Sequence, residues 1–594
     1  MFFFRLRAWC IQRVANLGLV AVLLLMLIAF WYDRPASQDV DYSKRPGKGQ
    51  HRHFRNDVTT SQLVFIYYTL FAHIMGLLFP VRLVWAIRSM TKNLKGVSLP
   101  ARSPPKRFSS HLSPVSGNSE SGYEDSVNSE FSESEIELST TTTESDWDDT
   151  PLLHAIIVPN YKEEMDTLRE TLDILASHTQ ASSSYEIYLA MEQGEAGCEV
   201  KAAILINEYA KRFRSMDFTT HPRDIPGEAQ GKSSNLCWAA RYINGKYSDE
   251  ILKRNVIITV LDSDSHLSSK YFTLINGMHF AYPDTADSTM YVPPIIFDRN
   301  AHLVPRLVRV ADLLWAGAGL SGHYETSFIC PPTSVYSLPL SLVDRAGGWD
   351  AGAEAIGEDL HMYIKCFFAL NGNLTTRSVF SPASHSNVHS NGKGVRGFYN
   401  DIMARYKQAL RHMWGALDSG FVLRSAINMW WRKRKNANKP RWISVFILFH
   451  RMYEAHFLPI HITLLIIGSG LYTLSTPPNQ IPRLLLQTLD ITGWMRLVSA
   501  LNFIYFFFLY ESYHYICVKT REEEMLRAGL ADRMVDSFSY RSLRKTGLDF
   551  CLFPVAGIVF GTAPATYALI RQFWTLSLVY KVSKKPLRMQ LPAP

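Results

Sequence analysis

Cysteine is scarce and solitary in this 594-residue chain: seven residues, at 10, 198, 237, 330, 366, 517 and 551, with no CxxC pair among them. That excludes a paired disulfide framework, argues against structural zinc and suits a reducing compartment. A phosphate loop is missing too. The stretch PGEAQGKSSN (226–235) tempts that reading, but three residues separate Gly227 from Gly231 where the motif needs four, and no strand runs directly into it. Lys232 is kept as a candidate nucleotide contact. Nor is there a calcium EF-hand at the acidic segment beginning at Asp262, because Leu267 stands where that loop requires glycine.

Charge thins out over five long stretches, and this scarcity shapes the chain. Residues 14–32 carry no charge before Asp33, and four more apolar runs lie at 61–87 and at about 443–474, 494–518 and 548–580. Each is near or beyond the roughly 20 residues that a bilayer core demands. No small-residue cleavage site succeeds FWYDRPAS, so residues 14–32 read as an anchor rather than a secretory signal. The last run contains Pro554, Gly561 and Pro564 and reads as one long span or as a broken hairpin.

Lys and Arg accumulate on cytosolic flanks. Arg5, Arg7 and Arg13 precede the first run, and Arg88, Lys92, Lys95, Arg102, Lys106 and Arg107 come after the second, which places the N-terminus and the long middle segment in the cytosol. The basic loop at 33–60 dissents. The tail YKVSKKPLRMQ sits inside only if the last run is a hairpin. These flanks account for the net charge of +9 better than a nucleic-acid partner does. The segment NMWWRKRKNANKPRW (428–442) joins tryptophans to Lys and Arg directly before a span, as an interfacial helix on an anionic leaflet would.

The chain divides into five regions. Residues 1–96 hold two spans and a loop. Residues 97–149, rich in Ser, Thr, Glu and Asp, are a linker too poor in apolar side chains to offset the entropy of ordering. Residues 150–420 alternate strands and helices, 421–442 form a basic amphipathic helix, and 443–594 are a C-terminal membrane region. In the third, LLHAIIVPN, YEIYLAM, MDFTTH and NVIITVLDSD read as strands separated by helical patterns. The fold class is therefore α/β, a mostly parallel Rossmann-like sheet inserted between transmembrane helices. In such sheets ligands bind beyond the carboxyl ends of the strands.

Asp262 and Asp264 lie at one such end. A lone D-x-D is usually a helix cap, here for a helix starting near Ser268; the alternative is a carboxylate pair holding a hard divalent cation against phosphates. Farther on, GGWDAGAEAIGEDLHMYIKCFF (347–368) puts Glu358 and Asp359 in the first turn of a helix after a glycine-rich approach. RYKQALRHMWGA (405–416) offers Gln408, Arg411, His412 and Trp414, with Arg suited to a diphosphate and Trp to a sugar face. By itself that stretch also reads as an amphipathic helix.

In this order the chain resembles the membrane-embedded family 2 glycosyltransferases, which include cellulose, hyaluronan and chitin synthases. VPNYKEE (158–164) matches the family's opening turn, Asp262 and Asp264 its D-x-D, Gly357–Asp359 its (T/G)ED, and Gln408–Arg411 its Q-x-x-R-W. Two departures stand out: Glu192 occupies the place of an Asp after the second strand, and His412 comes directly after Arg411, with Trp414 two residues beyond. The resemblance implies a GT-A domain on the cytosolic face that takes a nucleotide sugar and Mg or Mn, in the plasma membrane or Golgi. It implies a glycan or lipid acceptor, with polymer synthesis and export, as in cell-wall polysaccharide, as one form of the activity.

Carried over residue by residue, Tyr161, Glu163 and Glu192 surround the nucleoside, Lys232 lies near base or phosphate, and Asp262 and Asp264 hold the metal. Asp359, beside Glu358, is the general base, giving inversion. Gln408 and Arg411 clamp the diphosphate, and His412 or Trp414 meets the acceptor. The rival class is a membrane scaffold or transporter with a degenerate transferase domain, which the displaced Trp favours. Asn373 begins a glycosylation sequence, NLT, that a cytosolic domain leaves bare.

Overall fold

The structure, a computed structural model, describes residues 2–32, 57–98, 152–249, 253–390, 392–432, 439–530 and 538–578. The linker reading beyond Ser98, the basic loop before Asp57 and the tail after 578 lie outside them.

Strand β1 (Leu153–Pro159) is almost continuously apolar because helices cover both faces of its sheet. It pairs in parallel with β2 (Tyr185–Glu192) on one side and β4 (Val256–Val260) on the other, and β2 pairs in parallel with β3 (Ser215–His221). Parallel neighbours require crossovers, supplied by the helices Met165–Ala176, Cys198–Tyr209 and Lys232–Lys246. Beyond β4 the sheet changes direction. The remaining strands are β5 (Thr289–Val292), β6 (Ile295–Phe297), β7 (Tyr336–Pro339), β8 (Thr375–Ser378) and β9 (Ala383–His385), and the seven-stranded order is β3-β2-β1-β4-β7-β5-β8 with β7 antiparallel to both neighbours. A mixed, mostly parallel sheet clad in helices fits the expected GT-A arrangement. Strands β6 and β9 form a separate parallel pair, and His266 bridges to Ser384, tying the Asp-Ser-Asp-Ser-His loop to β9.

Among the described residues five helices are long and apolar enough to cross a membrane: Val14–Tyr32, Thr60–Gly96, Trp442–Ser475, Arg483–Arg527 and Asp549–Gln572. The last is one run rather than a hairpin. A π turn at Ile558–Thr562 carries the chain past Pro564, whose ring would otherwise collide with the carbonyl four residues back.

The 45-residue helix Arg483–Arg527 is about 68 Å long, more than twice the roughly 30 Å hydrocarbon core. Its surplus length docks on the sheet domain. Leu83, Ile87 and Met90 from Thr60–Ser98 share one buried core with Phe506, Phe507, Tyr510 and Tyr513 from Arg483–Arg527 and with Ile156, Val158 and Leu168 of the sheet layer. Each such aromatic or aliphatic side chain contributes about 1.5–3 kcal/mol of burial. A second core covers the other sheet face beneath Lys232–Lys246 and the helix Glu358–Ala369. The segment read as an interfacial helix, 421–442, begins inside the helix Asp418–Arg432; Trp430 and Trp431 stand exposed on it, and residues 433–438 are outside the described set.

Candidate active site

A cavity of about 1070 Å³ opens beyond the carboxyl ends of β1, β2 and β4. Tyr161, Glu163, Glu192, Lys232, Asp262, Asp264, Glu358, Asp359, Gln408, Arg411 and His412 all line it. Residues spread over 250 positions converge because strand ends and two helix starts meet there.

The VPNYKEE turn is held from below by Glu195, which no sequence motif marks. Its carboxylate accepts hydrogen bonds from the Lys162 backbone N–H at 2.5 Å and the Asn160 side chain at 3.3 Å, and pairs with Lys201 at 2.9 Å. Lys162 takes the left-handed φ of 61° that this bend requires, leaving Tyr161 at the cavity edge. Lys201 also donates to the Glu163 carbonyl. Glu192 lies 3.1 Å from His221 Nδ1, and His221 Nε2 lies 2.9 Å from Glu228.

At the centre Lys232 bridges two carboxylates, 2.6 Å from Asp262 Oδ1 and 2.7 Å from Glu358 Oε1. Burial of the ammonium opposes its charge, and Asp262, Glu358 and Asp359 more than offset that, so Lys232 stays protonated far above neutrality. Burial likewise opposes charge on Asp262. Lys232 and the Ser334 hydroxyl, donating at 2.6 Å, nevertheless hold its carboxyl well below the usual range. Glu358 accepts the Tyr336 hydroxyl at 2.8 Å, and Tyr336 accepts the Trp349 indole N–H at 2.8 Å.

Asp359 differs. Burial, and after it the Glu358 charge, push its carboxyl up to about 7, with Lys232 pulling the other way. A carboxylate poised there takes a proton at physiological pH, as a general base must.

Asp264 is buried, and its backbone carbonyl accepts from Arg299. His385, which no sequence spacing flagged, lines the same cavity from β9 with Nδ1 2.9 Å from Ser265 Oγ. Among the described residues no three His, Cys, Asp or Glu side chains gather closely enough to hold an ion unaided. Asp262 and Asp264 both line the cavity, Asp262 with Oδ1 on Lys232 and Oδ2 on Ser334, so a hard cation placed there would take most of its oxygen shell from phosphate and water.

The acceptor side departs from expectation. Trp414 is buried away from the cavity, its indole donating to the Leu576 carbonyl at 2.8 Å while its own carbonyl accepts from Gln572 at 2.9 Å. Helical spacing turns it by about 200° from His412 along the same helix, toward the packed face with Leu417 and Ala568. His412 does face the cavity and stacks on Trp315, ring centroids 4.2 Å apart. Trp315, hidden in the apolar run ADLLWAGAGL, is the indole this cavity presents.

Two residues beyond Asp359, His361 sits between Asp418, at 2.6 Å, and Asp350, at 3.0 Å. Burial opposes its charge, but Asp418 first and Asp350 after it raise the imidazole to about 9, so it remains cationic. His361 ties the Asp359 helix to the start of Asp418–Arg432. His361→Gln is expected to lower kcat about tenfold through misplacement of Asp359 while leaving the donor KM within twofold, measured by steady-state kinetics.

The family model described as "Glycosyl transferase family group 2" matches residues 257–511, from β4 into the helix Arg483–Arg527. No curated protein matches the chain. Similar solved structures include a mannosyltransferase from Pyrobaculum calidifontis in complex with GDP-Man and Mn2+, 13% identical over 63% of this chain and 88% of that one, with a TM-score of 0.36. S. aureus TarS is 11% identical over 59% and 54%, TM-score 0.28. GalNAc-T7 with UDP, GalNAc and Mn2+ is 10% identical over 53% and 59%, TM-score 0.30. Structural likenesses at these TM-scores carry no inference about function.

Proposed function

We propose that this chain is an inverting glycosyltransferase that moves a sugar from a nucleotide-sugar donor to an acceptor at the cytosolic face of a membrane. The observation that carries the reading is the single cavity beyond the strand ends that gathers Lys232, Asp262, Asp264, Glu358 and Asp359.

Tyr161 and Glu192 flank the nucleoside, and Lys232, Gln408 and Arg411 contact the diphosphate. Asp262 and Asp264 would hold Mg or Mn, which when bound would offset charge on the leaving diphosphate. Asp359 takes the acceptor hydroxyl proton as oxygen attacks the anomeric carbon from the face opposite the diphosphate, so configuration inverts. Incubating the purified protein with labelled nucleotide sugars, with and without Mn or Mg, tests this. Metal-dependent release of nucleoside diphosphate is expected, and its absence with every donor would favour the scaffold reading.

Because the two aspartates supply only part of a coordination shell, calorimetry is expected to detect Mn binding with a nucleoside diphosphate present and none in its absence. Asp264→Asn is expected to abolish that heat.

The cytosolic placement has its own check. Asn373 is exposed, but its amide donates to the Leu370 carbonyl at 3.1 Å and the Lys439 carbonyl at 3.2 Å beside the membrane-flanking segment. It is expected to carry no glycan, as mass spectrometry of protein from its native membrane would show.

A further inference from the structure

The cavity does not end at the carboxylates. It continues past Trp315 and His412 to Arg82, Arg451 and Glu454, and then to Gly76, Ile462, Ser499 and Phe503, residues of three membrane-length helices. Its polarity changes along this path from carboxylates, through a cationic neck, to apolar side chains. In the neck Glu454 accepts both Arg82 Nη1 at 2.8 Å and Nη2 at 2.7 Å, and Arg451 lies 3.4 Å from the same carboxylate. Two guanidiniums against one carboxylate leave the neck net positive.

The apolar end lies where three membrane-length helices come together. Helices Leu458–Ser475 and Arg483–Arg527 both pack on Thr60–Ser98, but among the described residues they share no extended seam with each other. They meet near their connecting loop, where Tyr472, Ile481 and Leu485 join one cluster. The gap between them is backed by Gly76, over which Ile462 Cδ1 sits so closely that a Cβ there would lie 2.6 Å from it. Its floor is the Asp549–Gln572 helix. Phe553 stacks on Phe503 at 5.3 Å on one side, and Thr562 Oγ1 lies 3.2 Å from Thr463 Oγ1 on the other.

The route toward the far side of the bundle is filled. Phe30 stacks on Tyr472 at 4.4 Å and packs edge-on against Phe65 at 4.6 Å, and Met26 fills the space over Gly468. None of these lines the cavity.

We infer that the acceptor is a membrane lipid whose headgroup carries the accepting hydroxyl, admitted from the bilayer through the window between helices 458–475 and 483–527. This rests on the glycosyltransferase reading and names its acceptor. A lipid matches the polarity order: acyl chains lie in the apolar window, the headgroup passes the arginine neck, and its hydroxyl reaches Asp359 beside the Trp315 face. A hydrophilic polymer leaving through the bundle matches neither the apolar window nor the filled far side. In the transfer step the lipid hydroxyl oxygen forms the new bond to the anomeric carbon, the bond to the diphosphate breaks with its electron pair leaving on the nucleoside diphosphate, and the hydroxyl proton goes to Asp359.

The test uses the full chain in phosphatidylcholine vesicles doped in turn with diacylglycerol, ceramide or a polyprenol, and a panel of labelled nucleotide sugars. Label is expected in the organic phase with one of the three. Ser499→Trp, which fills the window, is expected to raise the KM for that lipid at least tenfold, whereas Leu497→Trp, on the exposed side of the same helix, leaves it at wild type. A diazirine-bearing version of that lipid is expected to label wild-type protein at Ile462 or Phe503, a readout that survives poor folding of the tryptophan variant. Nucleotide release with all label in a water-soluble, alcohol-precipitable product would overturn the lipid acceptor and leave the transferase standing. No nucleotide release with any donor would overturn both.

Discussion

Asp359→Asn is expected to lower sugar transfer by about 10²- to 10⁴-fold, the usual contribution of a positioned general base, while donor binding stays near wild type. The sign of the pH dependence comes from the same group. The base works as the carboxylate, and burial with the Glu358 charge places its titration at about 7. Wild-type kcat/KM should therefore fall tenfold per pH unit below about 7 and level off above it. A pH-rate profile of the purified protein checks this, and a flat profile between pH 5 and 8 would remove Asp359 from the role. Glu358→Gln provides a sharper control. It removes a negative neighbour that raises Asp359, so the inflection should move to lower pH.

Lys232→Met is expected to cost both activity and stability. The ammonium is the one cation lying within 3 Å of both Asp262 and Glu358 among the described residues. Its loss leaves two carboxylates facing each other, one of them 3% exposed. Removing one partner of a buried ion pair typically costs 3–5 kcal/mol; Asp262 keeps 30% of its side chain in reach of solvent, so about 3 kcal/mol is expected here. Thermal unfolding in detergent would register the loss. Adding Glu358→Gln should restore most of the stability, since one carboxylate then stands alone, but should not restore transfer, which needs the lysine against the diphosphate. If the double variant regained activity, Lys232 would be a structural counter-ion only.

The parts of this fold that could be read in the sequence are those whose residues repeat a physical pattern. Uncharged runs mark the membrane-length helices because lipid tolerates little else, and LLHAIIVPN and NVIITV mark central strands because both faces are covered. The strand Tyr336–Pro339 escaped because four residues with a proline carry no periodicity, although it sits between β4 and β5. Among site residues, Asp262, Asp264, Glu358 and Asp359 were legible because they interrupt apolar runs. Trp315, His385 and Glu195 were not. Each joins the site only through the topology: Trp315 lines the cavity from a helix that reads as plain core, His385 from a strand pinned to the aspartate loop, and Glu195 braces the Tyr161 turn from beneath. Trp414 shows the converse. Its neighbours announced a sugar-binding face, and its position on the helix turns it into the packing against Leu576.

The shared core of Phe506, Phe507, Tyr510 and Tyr513 with Ile156 and Val158 has a practical corollary for anyone preparing this protein. A fragment cut at residues 150 and 420 would carry the whole sheet with Asp262, Asp264, Glu358 and Asp359, yet it would bare the apolar surface on which those aromatics rest. Such a fragment should precipitate rather than yield a soluble reagent. The sheet and the two long helices have to be purified, mutated and assayed as one body.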